Sequence, residues 1–164
     1  MKKWLLLVLA ALLIHHFGLW PFPETDAAEL SVAKTLTVEL TEDRVVLRTE
    51  QGEGAGRNLS SALMNLQENM PGQLFLRQVR RVVFCGGAEA AVPPETLPED
   101  LPMGACVYQW QGAEELDLEA LDPVLEAREA RDPDRLTLAM LEDAHLAGET
   151  LPLPDLRWEN PDGT

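Results

Sequence analysis

Val32, Leu36, Val38 and Leu40 share one parity, and Thr35, Thr37 and Glu39 the other. That period of two predicts a half-buried strand. Thr41-Glu42-Asp43 supplies a turn, and Arg44–Thr49, rich in β-branched residues, predicts the returning strand of a hairpin. Gln51–Gly56 holds three glycines and reads as a loop. The period then changes. Leu59, Leu63 and Leu66 fall at helical spacing, Asn58 precedes them as an N-cap, and Pro71–Gly72 stops the helix. Leu74–Leu76 and Val79–Cys85 are apolar, and the second predicts an interior strand.

Four prolines and three acids between Val92 and Pro102 read as an exposed connector. Ala105–Trp110 predicts a further strand. Ala113–Leu121 reads as helical, and Asp122–Pro123 and then Asp132–Pro133 each carry the Asp–Pro signature of a new helix start. Leu138, Leu141 and His145 share a face of the last helix, which Gly148 closes. The proline-bearing segment from Leu151 onward reads as a surface run. The order β-β-α-β-β-α-α predicts an α+β (or α/β) domain, a small mixed sheet covered by helices.

The N-terminus changes the picture of compartment. Lys2–Lys3 precede an apolar run from Trp4 to Trp20, the layout of an export signal. As a helix the run rises about 26 Å, a little short of a hydrocarbon core. Residues 1–28 are therefore expected to be a signal peptide or a retained membrane anchor. In both cases the remainder lies outside the cytoplasmic membrane. The organisation expected is a domain over 29–154 and an exposed tail over 155–164.

Charge is unevenly spread. Seven acids balance seven bases between Glu29 and Gly86, whereas 19 acids face 4 bases from Gly87 onward, so the net −15 resides in the C-terminal half. Such a surface disfavours nucleic acid and anionic headgroups as partners. It suits solubility, loosely held divalent cations, or a basic partner. Glu114, Glu115, Asp117 and Glu119 are the candidate contacts for that partner.

Candidate chemistry centres on "VRRVVFCGGAEA", residues 79–90. A strand that delivers Cys85 onto Gly86–Gly87 has the outline of a nucleophile elbow, an anion-binding loop, or a plain strand exit. A thiol or hydroxyl nucleophile needs a base, and beyond the N-terminal segment His145 is the lone histidine. No Cys/His array has zinc spacing, and no acidic run has EF-hand spacing. Gly52, Gly54 and Gly56 lack the Lys-Ser/Thr of a P-loop. No cofactor is implied. Cys85 and Cys106, each in an expected strand, permit a disulfide in an exported chain or persist as buried thiols.

The segments "ELSVAKTLTVEL", "GEGAGRNLSSALMNLQENMPGQLFLRQVRRVVFCG", "GACVYQWQGAEEL" and "DRLTLAMLEDAHLAGETLPLP" occur in an order that resembles the N-terminal domain of spore germinant receptor C subunits, the Ger(x)C family. The matching positions are Glu29–Leu30, Gly56, Ala62–Leu63, Asn65–Leu66, Val82–Gly86 and Gly148–Pro152. The resemblance spans roughly 29–154. It implies a non-catalytic extracytoplasmic protein that docks to other germinant receptor subunits or envelope proteins. It also implies that Val79–Gly86 is a sheet strand and Gly86–Gly87 its release. Phe17-Gly18-Leu19-Trp20 stands where the family carries a lipobox cysteine, so lipid anchoring is not expected. The alternative is an exported thiol-dependent enzyme or redox protein using Cys85 and Cys106, without a C-x-x-C spacing. A third reading is a surface that binds calcium loosely.

Overall fold

The computed structural model describes residues 30–156, apart from 42, 71, 89–91, 113–115 and 133. The expected signal or anchor at 1–28 lies outside the described residues. Leu30–Val32 (β1) leads into the alternating segment, which forms the antiparallel hairpin β2 (Thr35–Thr41) and β3 (Arg44–Thr49). Leu36, Val38 and Leu47 are fully buried on one face. Each such side chain contributes about 1.5–3 kcal/mol before ordering entropy is counted.

The glycine-rich stretch is not a loop. Gly52–Gly56 forms β4, antiparallel to β3, with Gly54 opposite Leu47 and Gly56 opposite Val45. Its three glycines alternate, so all face the side where helix α1 (Leu59–Asn69) lies. A Cβ on Gly54 would land on the backbone of Ala62 and Leu66, and one on Gly56 on Ser61 and Ala62. Glycine is needed here for close helix–strand approach. Asn58 caps α1 as expected: its side chain accepts from Ser61 N at 2.9 Å, and Ser61 Oγ accepts from Asn58 N at 3.2 Å.

After α1, β5 (Gln73–Phe75) pairs in parallel with β1. β6 (Arg81–Cys85) then lies parallel to β2, and β7 (Cys106–Trp110) parallel to β6. The main sheet is mixed and has the order β4-β3-β2-β6-β7. Gly86 and Gly87, both at positive φ, release the chain from β6 as the resemblance implies. The connector that follows is not simply exposed. Val92, Leu97 and Leu101 are buried in the core shared with α1, so its prolines shape a cover for the sheet.

Helix α2 (Leu118–Glu129) replaces the two helices expected around Asp122–Pro123. Asp117 is its cap, accepting from Glu119 N and Ala120 N, and Pro123 lies inside it. The last helix starts at Leu138, later than Asp132–Pro133 suggests. Asp132 instead accepts from Asp134 N in a local turn. This helix, α3 (Leu138–Leu146), gives its first N–H groups to Ala105 O and Met103 O, which fixes where it begins. Gly148, at positive φ, closes it. The segment from Leu151 does not merely cover the surface. Leu153 and Leu156 are buried, and Gln109 bonds Pro154 O and Leu156 N as in a parallel ladder. Asp155 and Leu156 thus sit on the sheet edge; 157–164 lie outside the described residues. The described residues make a small single-domain α+β fold, a five-stranded mixed sheet with three helices.

Candidate functional site

The parity of β6 and β7 divides their side chains between the two faces of the sheet. Val82, Phe84 and Val107 join the core beneath α1. Arg81, Val83, Cys85, Cys106, Tyr108 and Trp110 share the opposite face, on which α2 lies. Leu118, Leu121, Asp122, Leu125 and Glu129 recur along α2 at i, i+3, i+4, i+7 and i+11, one continuous stripe. Leu121 and Leu125 pack on Val83, Cys106 and Tyr108. Asp122 and Glu129 reach a guanidinium.

That guanidinium belongs to Arg81, which is 0% exposed. Its Nε donates to Glu129 Oε1 at 2.6 Å and its Nη2 to Glu129 Oε2 at 3.0 Å, a bidentate pair. Nη1 bonds Asp122. Tyr108 donates its hydroxyl to Glu129 Oε1 at 3.2 Å, and Lys34 Nζ donates to Asp122 Oδ2 at 2.9 Å. Burial alone would lower the Arg81 pKa, but hydrogen bonds and charges from Glu129 and Asp122 outweigh it and hold the group cationic. The hydrogen bonds from Lys34 and Arg81 keep Asp122 below the ordinary aspartate value. Burial and the Glu129 charge push the Tyr108 hydroxyl upward.

Local sequence pattern does not announce this network. The signal for it was present in Arg80–Arg81 before an interior apolar strand, since a charge at a buried strand position needs a partner. Asp122 was expected as a helix cap, which hid its pairing.

The cysteines are brought onto one face but not together. Cys106 stands opposite Arg81 and Cys85 opposite Trp110, four positions along adjacent parallel strands. The offset is about 13 Å at the rise of a strand, well past the roughly 7 Å limit for a bridge. The disulfide permitted by the sequence is therefore corrected: both are free thiols, and their strand register keeps them apart. Burial and the Glu39 charge push Cys85 up to about 11. Burial and the Glu129 charge raise Cys106 as well. Neither setting favours a thiolate at neutral pH. His145, half-exposed on α3, pairs with Glu95 at 3.3 Å.

Of the acidic candidates, Glu114 and Glu115 lie outside the described residues. Asp117 is exposed but serves α2 as its cap, and Glu119 is exposed in the first turn. Among the described residues no group of three or more His, Cys, Asp or Glu is placed to hold a metal ion. No helix among them is long and apolar enough to cross a membrane. No family model matches the chain, and searches of curated proteins and of solved structures return no match.

Proposed function

We propose that this domain is a docking module of the bacterial envelope, similar in role to the N-terminal domain of germinant receptor C subunits. In this reading it stands on the outer face of the cytoplasmic membrane, delivered there by residues 4–20. It acts without catalysis by binding other receptor subunits or envelope proteins during spore germination. The observation that carries the reading is the work done by the matched residues. Gly56 lets α1 approach β4, Ala62 and Leu66 are buried against the sheet, Asn65 Oδ1 accepts from Ala55 N, and Gly86 and Gly148 turn the chain. These residues build the scaffold, so the support for the reading is a likeness at the level of the fold.

The thiol-enzyme reading draws no support from the cysteines, whose positions are offset by about 13 Å along adjacent strands and whose thiols are pushed toward the protonated form. The test is co-expression of the full chain with A- and B-type receptor subunits of a spore former. Detergent-solubilised membranes should yield a complex containing all three, and deletion of the gene should slow nutrient-triggered germination. A chain that purifies without those subunits, from a strain whose germination is unchanged by deletion, overturns the proposal.

A further inference from the structure

Arg77, Arg80 and Arg135 all line one open cavity of about 710 Å³ at the amino ends of β6 and β7. Gly104, Cys106 and Glu129 also line it. This placement runs against the charge of the molecule. The half after Gly86 holds 4 bases among 19 acids, yet Arg135, one of those four, joins two arginines from the balanced half.

The carboxylate at the cavity, Glu129, is committed to Arg81 and Tyr108. Arg77 pairs with Asp100 at 3.3 Å and Arg80 with Glu126 at 3.7 Å, both between exposed side chains. Such pairs are worth little and exchange readily. Arg135 has no ion pair among the described residues. Cys106 and Glu129 line the same cavity as Arg135, and Arg81 stands opposite Cys106 in the register of β6 and β7.

We propose that this cavity is a binding site for a phosphate-bearing anion, held by the guanidinium groups of Arg77, Arg80 and Arg135. Planar guanidinium forks match phosphate oxygens two at a time, and groups from two separate segments, 77–80 and 135, can clasp a compact tetrahedral anion from two sides. Long-range repulsion from the acidic half disfavours diffuse anion binding elsewhere, so the site selects by short-range contact. The same chemistry is offered by free phosphates and by a phosphodiester lipid headgroup.

The experiment is an NMR titration of the full chain in neutral detergent with pyrophosphate at constant ionic strength. Saturable shifts are expected at the amides of 77–80, 104–106 and 135. They should weaken at least tenfold in Arg80→Gln/Arg135→Gln, two exposed positions at which melting should be unchanged. Competition by glycerophosphoglycerol assigns the site to a headgroup, and competition by inorganic phosphate alone to free phosphate. Shifts spread evenly over the surface overturn the site, as does equal affinity in the double variant. Should that variant lose its fold, Arg135→Lys serves in its place, and unchanged affinity there with intact melting overturns the bidentate contact.

Discussion

Arg81 and Glu129, 48 residues apart, meet end to end beneath α2, with guanidinium nitrogens at 2.6 and 3.0 Å from the two carboxylate oxygens. The pair does for α2 what Leu121 and Leu125 do not. Leucines accept many rotations of a helix over an apolar strand, whereas a bidentate pair fixes both the rotation and the height of the helix. Asp122, two turns earlier on the same stripe, bonds the same guanidinium and so sets the helix direction as well.

Breaking the pair from one side should therefore be severe. Glu129→Gln leaves a buried guanidinium half-paired and should cost about 3–5 kcal/mol in urea denaturation. Arg81→Met with Glu129→Leu removes both charges and should recover most of that loss. A double variant as unstable as the single one would show that the pair itself, rather than the unmatched charge, holds α2. Tyr108→Phe removes one hydrogen bond and should cost about 1 kcal/mol.

A second expectation concerns glycine. Gly54→Ala puts a methyl into the backbone of α1 and should cost about 1–3 kcal/mol, as overpacking does. Gly104→Ala meets open space and should stay within about 0.5 kcal/mol of the parent. Thermal melts of the two variants, run side by side, check the contrast. Equal effects would mean that β4 and α1 separate to admit the methyl.

These two sites also mark where the sequence was legible and where it was not. The hairpin, α1 with its cap, β6 and β7 follow from local pattern, because period and capping chemistry act within a few residues. β4 was hidden because glycine usually signals a turn, whereas here alternate glycines serve a helix that packs across them. The boundary of α2 was hidden for a similar reason. Asp122–Pro123 has the local form of a helix start, but the carboxylate of Asp122 is held by Arg81 and Lys34, residues distant in the chain. The buried Leu97 and Leu101 are masked in the sequence by the prolines and acids around them.

Acid and alkali should act through different residues. Asp122 has a lowered pKa, so its contribution is present above the ordinary aspartate value and is lost as pH falls through its folded value. Asp122→Asn should flatten the acid limb of a stability–pH profile. Cys85 is raised from 9.0 to about 11, so its contribution is complete below pH 9 and is lost as pH rises toward 11. Cys85→Ala should reduce the alkaline limb while costing about 1–2 kcal/mol at neutral pH. Tyr108, also raised, keeps part of that limb in place. An alkaline limb of unchanged slope in Cys85→Ala would remove the thiol from this account.

The acidic face needs a test that separates recognition from helix capping. Reversing all four candidate acids to lysine would confound the two, because Asp117 caps α2 through Glu119 N and Ala120 N. Loss of such a cap alone costs about 0.5–2 kcal/mol. Asp117→Ser keeps a capping oxygen while deleting the charge, and Glu119→Lys reverses an exposed one. Combined with Glu114→Lys and Glu115→Lys, these changes remove all four candidate negative charges, and a thermal melt checks that the fold is kept. If a basic envelope partner binds here, its association rate should fall in the variant, with dissociation little altered, since rim charges act mainly through steering. The parent's rate should also fall as salt rises, because charges at a surface are screened over about 8 Å at physiological ionic strength. Surface plasmon resonance against purified A- and B-type receptor subunits at two salt concentrations reads both effects. Identical association rates for parent and variant at low salt would assign these acids to solubility alone.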